Sequence, residues 1–208
     1  MRVLLVSPRT PETIWSCEHV LPIVAKRAAF PPLGLLTVAA LLPRSWEFKL
    51  VDLNVRRLSD TDLQWANVVM IGAMIVQRDS VHQIIRRCQA VGRPVIGGGP
   101  LFTTGYEQMP PDVHCVVGEA EQVMPELVGD IETGRLRRCY FASGRPSLEL
   151  TPIPRWDLID FRHYVTMLLQ FSRGCPHDCE FCDIVAMNGR VPRTKSPPQL
   201  LAELDALD

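Results

Sequence analysis

Five short runs of apolar residues, separated by stretches with helical spacing, constrain this chain more than any other feature. They are Val3-Leu4-Leu5-Val6, Phe48-Lys49-Leu50-Val51-Asp52, Val68-Val69-Met70-Ile71, Pro94-Val95-Ile96 and Cys115-Val116-Val117. None keeps a strict polar alternation, so each is predicted to be buried on both faces, as parallel strands between helical layers are. The intervening segments supply those layers. A helix is predicted from Pro32 through Leu42, preset by Pro32, stopped by Pro43 and apolar nearly all round, hence largely buried. A second is capped by Asp79 or Ser80, carries Val81, Ile84, Ile85 and Cys88 on one stripe, and ends at Gly92 with Pro94 beyond. A third follows Gly118, carries Val123, Leu127, Val128 and Ile131, and closes at Gly134. A short strand, Cys139-Tyr140-Phe141, finishes the unit. The prediction is an α/β domain over residues 1–142, with a five-stranded parallel sheet and helices on both faces.

Composition narrows the partners. A hydrophobic content of 47% over 208 residues is enough for a core. With 22 basic and 23 acidic residues the net charge is −1, so no global field points to nucleic acid or an anionic membrane. No segment approaches the ~18 apolar residues a membrane span needs. The N-terminus reads as a first strand rather than a signal peptide. A cytoplasmic protein with small partners is expected.

Between residues 143 and 163 the composition shifts, with Pro146, Pro152 and Pro154 among Gly and Ser, as in a linker or an irregular wrap. Val165 to Ser172 then reads as another buried strand, running straight into Arg173-Gly174-Cys175. Pro197 and Pro198 open a last helix, Gln199 to Leu207.

Seven cysteines is an odd count, and three fall within eight positions: Cys175-Pro176-His177-Asp178-Cys179-Glu180-Phe181-Cys182. In a reducing compartment such crowding argues for metal over disulfides. Three thiolates in one loop can converge on a cuboidal iron–sulfur cluster, which usually takes four, leaving one iron without a protein ligand. A zinc site would want four closed ligands, commonly as two separated pairs, with His177 or a distant cysteine recruited. A ferredoxin loop would want two-residue gaps and a fourth cysteine before proline.

For the first domain, a dinucleotide fingerprint is absent from the turn Ser7-Pro8-Arg9-Thr10, and Gly97-Gly98-Gly99 is not a Walker loop. A glycine run after a strand still permits close backbone approach to a bulky ligand. Ligands of such sheets bind beyond the carboxyl ends of the strands. The loops there are 7–10, 52–57, 72–78, 97–103 and 118–121.

The cysteine loop, with Phe181 before its last cysteine, resembles the radical S-adenosylmethionine superfamily. That resemblance implies a 4Fe–4S cluster on Cys175, Cys179 and Cys182, S-adenosylmethionine on the open iron, and Phe181 near the adenine. It also implies a 5′-deoxyadenosyl radical, a one-electron donor such as a flavodoxin or ferredoxin, and a TIM-like (β/α) radical domain starting near residue 164. Pro31-Pro32-Leu33-Gly34-Leu35, Val51-Asp52-Leu53-Asn54, Gly97-Gly98-Gly99-Pro100 and Gly118-Glu119-Ala120-Glu121 look like the cobalamin-binding domain that precedes many radical enzymes, a Rossmann-like sheet in flavodoxin-like order. The chain is most similar to the branch containing hopanoid methylases, which implies a methyltransferase with a small, lipid-like substrate. By similarity, Gly98, Gly99 and Pro100 border the nucleotide tail of cobalamin. Asp52, Asn54, Gly72 and Met74 line the corrin side, with Glu119 as a further candidate.

The family's Asp-x-His-x-x-Gly loop is missing after strand one, so cobalamin is expected to lack a histidine ligand to cobalt. Asp112-Val113-His114 is a decoy at the wrong end of the sheet, and His114 reads as structural. Cys17, Cys88, Cys115 and Cys139 read as core packing. Glu119 and Glu121 suit a helix N-terminus on dipole grounds alone. Arg190, Arg193 and Lys195 read as solvated, with a chance to meet an anionic substrate. Residues 183–208 give room for one strand–helix step of a barrel that takes ~200 or more residues. The chain is therefore expected to stop early in its second domain, with residues after about Ser143 packing loosely. A radical enzyme of the same architecture doing cyclisation or rearrangement, or a non-catalytic cobalamin- or metal-binding module, remain as alternatives.

Overall fold

The computed structural model describes residues 1–13 and 16–207. Its centre is a six-stranded parallel sheet: β1 (Arg2–Ser7), β2 (Glu47–Asp52), β3 (Val68–Gly72), β4 (Val95–Gly98), β5 (Val113–Val117) and β6 (Cys139–Phe141). The strand order is β2-β1-β3-β4-β5-β6, every neighbouring pair parallel. The five apolar runs are all strands, and Cys139–Phe141 is a full sixth member paired to β5.

The helices are α1 (Leu33–Leu41), α2 (Asp60–Trp65), α3 (Arg78–Ala90), α4 (Pro100–Gly105) and α5 (Ala120–Thr133). Alternate residues of each strand feed two cores. Leu4 and Val6 of β1 join Leu63, Val81, Ile84, Ile85, Cys88, Leu101 and Phe102 on the face covered by α2, α3 and α4. Val3 and Leu5 join Leu35, Ala39, Val123, Met124, Leu127 and Ile131 under α1 and α5. Burial of such a side chain contributes roughly 1.5–3 kcal/mol, so two full layers explain why the sheet takes apolar residues at nearly every position.

Several details depart from expectation. The helix α3 starts at Arg78 rather than after Asp79 or Ser80, because the single 3-10 turn Ile75–Gln77 precedes it. The Gln77 side chain closes that 3-10 turn by accepting from the Met74 N–H at 2.9 Å, and α3 itself has no side-chain cap. Two short helices lie where only loops were expected. In α2, Ser59 and Asp62 form a reciprocal capping box. In α4, Pro100 occupies the first turn directly after Gly99.

Beyond the sheet, the Pro-rich segment wraps rather than extends. Leu148, Trp156 and Tyr164 are buried, and the Arg155 N–H donates to the carbonyl of Leu36 on α1 at 3.1 Å. This cover accounts for a helix that is apolar nearly all round.

The buried strand expected from Val165 to Ser172 does not form. Only β7 (Ser172–Arg173) is extended in a ladder, antiparallel to β8 (Arg193–Thr194), and Val165, Leu169 and Phe171 are exposed. A strand needs a neighbour along its length for its backbone groups; here Val165 and Thr166 donate to Ala28 and Ala29 and Phe171 accepts from Lys195, while among the described residues no strand pairs with the stretch between them. Two further helices, α6 (Ile184–Asn188) and α7 (Pro197–Asp205), complete the chain. No helix among the described residues is long and apolar enough to cross a membrane.

Candidate functional site

The order of the sheet reverses between β1 and β3, which opens a crevice at the carboxyl ends of those strands. A polar network ties the loops there. The Asn54 amide donates to the Pro8 carbonyl and to Asp52 Oδ1, and accepts from the Thr10 N–H. Gln77 donates to the same Pro8 carbonyl at 2.8 Å and to Thr10 Oγ1. Asp52 is 4% exposed and also accepts from the Tyr164 hydroxyl at 3.2 Å. Burial raises its pKa, with the Asn54, Tyr164 and Ser7 hydrogen bonds opposing. Asp52 and Asn54 are thus spent on holding loops together rather than pointing outward. Gln77 and Tyr164 were missed in the sequence because nothing local marks either as a partner of a residue 69 or 112 positions away.

The glycines separate by role. Gly72 and Gly98 are register partners at the carboxyl ends of β3 and β4. A Cβ on Gly72 would meet Leu35 at 2.9 Å, one on Gly97 the Phe102 ring at 2.1 Å, and one on Gly99 the Ala73 carbonyl at 2.9 Å. Those three admit neighbours from within the chain. Gly98 differs: a Cβ there would make only an ordinary contact, 3.8 Å from Val116 Cβ. Beside it, Met74, Ile75 and Val76 stand exposed at the end of β3, an apolar ledge suited to a flat organic ligand. Pro100 fixes the turn that follows.

His19, in the loop after β1, is bonded to Glu12 at 2.7 Å. His114 Nδ1 donates to the Arg137 carbonyl, 2.7 Å away, and His114 lines an open cavity of about 360 Å³ with Met1, Asn67 and Pro94, at the opposite end of the sheet. Cys88 and Cys115 are core residues, and burial pushes each thiol up to about 11. Cys139 is half-buried against the core, but Cys17 is exposed with a φ of +54°, so its side chain is not core packing.

The cysteine loop hangs from the β7–β8 ladder. Gly174 holds a φ of +101° where a Cβ would lie 2.6 Å from the Val191 carbonyl, and the Cys175 N–H donates to Gly189 O at 3.0 Å. The Cys182 N–H donates to Cys179 O at 3.0 Å, which folds the two-residue gap into a turn. All three thiols are unbridged, Cys179 is exposed, and Phe181 is 90% exposed. Arg190 pairs with Asp178 at the loop's rim. Among the described residues no three His, Cys, Asp or Glu side chains stand close enough together to hold a metal ion. The donor set fits a cluster by its chemistry, and the thiols must turn inward to close on one.

Glu119 was expected as a ligand contact, and Arg193 and Lys195 as solvated residues. Instead the Glu119 carboxylate is held by Arg173 and Arg193, Glu121 by Arg173, and Lys195 is buried against Glu203.

Comparison with known proteins agrees with this arrangement. Residues 22–128 match the B12 binding domain family. The whole chain is 46% identical to an uncharacterized methyltransferase of Synechocystis sp. and covers 39% of its length. Hopanoid C-2 methylase of Rhodopseudomonas palustris is 35% identical over 99% of this chain, which covers 40% of that protein. An anaerobic magnesium-protoporphyrin IX monomethyl ester cyclase of Synechocystis sp. is 24% identical over 88% of the chain, covering 42% of that protein. The chain therefore spans about two fifths of the length of these relatives. With its parallel sheet, open carboxyl edge and matching residues, the chain belongs to the B12-binding domain family.

Proposed function

We propose that this chain is the cobalamin-binding and cluster-bearing part of a radical S-adenosylmethionine methyltransferase. The observation that carries the reading is one of placement: a three-cysteine loop sits beside the carboxyl edge of a B12-binding-type sheet. When bound, the cluster would supply an electron to S-adenosylmethionine and cobalamin would carry a methyl group. The chain's own residues provide the setting. Cys175, Cys179 and Cys182 offer the thiolates, and Phe181 offers an exposed ring for an adenine. Gly98 leaves space for the nucleotide tail, with Gly99 and Pro100 shaping its wall. Met74, Ile75 and Val76 offer apolar surface to the corrin, while Asp52, Asn54 and Gln77 keep the loops beneath it fixed. The hopanoid methylase relative supports a lipid-like substrate, and the cyclase relative keeps a non-methylating radical reaction as the second reading. An electron donor such as a flavodoxin or ferredoxin completes the scheme.

An anaerobic titration of the chain with hydroxocobalamin tests the first half. Saturable binding without the spectrum of histidine-ligated cobalt is expected, and Gly98→Leu should weaken it by about tenfold or more while leaving the fold intact. Binding that is absent, or indifferent to Gly98→Leu, counts against the site. Anaerobic iron and sulfide reconstitution tests the second half. Wild-type protein should take up a 4Fe–4S chromophore that Cys179→Ser loses.

A further inference from the structure

Glu119 caps the N-terminal end of α5 and Glu121 lies in its first turn. A helix dipole alone would justify acidic residues there, yet both carboxylates are used elsewhere. Arg173 Nη1 reaches Glu119 Oε2 at 2.7 Å and Arg173 Nη2 reaches Glu121 Oε1 at 2.8 Å. Arg193 bonds both oxygens of Glu119 and also the carbonyls of Pro146 and Asn188. The Thr151 hydroxyl, from the wrap, donates to Glu121 at 3.2 Å. Side-chain exposure is 8% for Glu119, 4% for Glu121, 13% for Arg173 and 17% for Arg193, so water screens this four-residue cluster little. Burial works most strongly against the Glu121 charge, but Arg173, the Glu121 backbone N–H and Thr151 together hold the carboxyl below its usual range.

The two arginines are register partners across β7 and β8, so they project from the stem of the cysteine loop. Arg173 lies two residues before Cys175. A two-stranded ladder this short is not stable by itself. Apolar burial does not compensate nearby, with Phe171 54% and Val191 76% exposed. Polar links hold the stem instead: Arg193 and Gln199 reach backbone carbonyls of the wrap, and the links that reach the sheet domain itself are those of the two arginines to the carboxylate pair. We infer that Glu119 and Glu121 are positioning residues that clamp the stem of the cysteine loop, through Arg173 and Arg193, to the carboxyl edge of β5. The purpose of the clamp rests on the proposed function, since it would hold a cluster beside the cobalamin edge. Its existence does not depend on any cofactor.

Hydrogen–deuterium exchange of the full chain without cofactors tests it. Glu119→Ala should speed exchange in residues 172–194 by about a hundredfold, as breaking a buried ion pair does, while amides of β1, β3 and β4 stay protected. Arg193→Ala should do the same, and the double variant should be little worse than either single one, the mark of a shared interaction. Unchanged exchange in 172–194 would overturn the clamp. So would additive effects, or equal loss of protection in the central strands, which would assign the cluster to the stability of the sheet. Iron uptake by the wild-type chain decides the cluster reading separately, so either idea can fail alone.

Discussion

Asp62 shows how one side chain ties a loop to a helix and to pH. Its carboxylate accepts from the Ser59 backbone N–H and hydroxyl and from both terminal nitrogens of Arg56. The Arg56 hydrogen bond leads in holding the carboxyl well below the usual carboxylate range, and the Ser59 contacts add to it. A carboxyl depressed in the folded state stabilises the fold above its unfolded pKa of about 3.9 and loses that contribution as pH falls. Asp62→Asn should therefore be less stable than wild type near neutral pH, with the gap narrowing between roughly pH 5 and pH 2. Urea midpoints measured across that range check it. A gap that stays constant would mean that the ionised carboxylate contributes nothing. At the same scale, Cys175, Cys179 and Cys182 stand out as a candidate ligand set by their spacing alone. Glu119 and Arg193 do not, because ion pairing across 74 positions leaves no local trace.

Among elements, the short apolar strands and the striped helices α3 and α5 were readable from their period, although the expected cap of α3 at Asp79 or Ser80 was not. The six-residue α2 and α4 were missed, although Ser59-x-x-Asp62 is close to a capping-box signature. The Val165–Ser172 run was misread for the opposite reason: its composition suits a strand, but pairing is a property of neighbours. The turn from β4 into α4 gives a prediction at this scale. Gly99 holds φ +89° and ψ −175°, a region open essentially to glycine alone, with the Ala73 carbonyl where a Cβ would sit. Gly99→Ala should cost about 1–3 kcal/mol, whereas Gly98→Ala, with an ordinary 3.8 Å contact to Val116 and no such backbone constraint, should be close to neutral. Denaturant unfolding of the two variants side by side tests this. Equal effects would show that crowding at the strand ends, not the backbone of Gly99, sets the cost.

For the whole molecule, the question is where the sheet domain ends. Composition places a boundary after residue 142, where Pro and Gly begin to accumulate. Contacts place more of the chain with the sheet. Leu148 is 1% exposed, Trp156 5% and Tyr164 4%, and each lies beyond that boundary. The Tyr164 hydroxyl reaches Asp52 on β2, the Tyr164 backbone forms a bridge with Ala28, and Val165 donates to the Ala28 carbonyl. Composition alone left a linker and an irregular wrap both open, because a wrap has neither period nor cap; its order comes from the surface it covers. Leu148, Trp156 and Tyr164 leave water against the sheet domain, and the wrap's backbone bonds to Leu36 and Ala28 join that burial. A chain ending at residue 166 should therefore unfold cooperatively and be more stable than one ending at residue 142. Paired denaturant titrations, with the sheet's circular dichroism and Trp156 fluorescence followed together, measure it. In the longer chain both signals should change at one midpoint. If Trp156 releases first while the sheet persists with the stability of the shorter chain, the wrap is a separate, weaker unit and the boundary belongs at 142 after all.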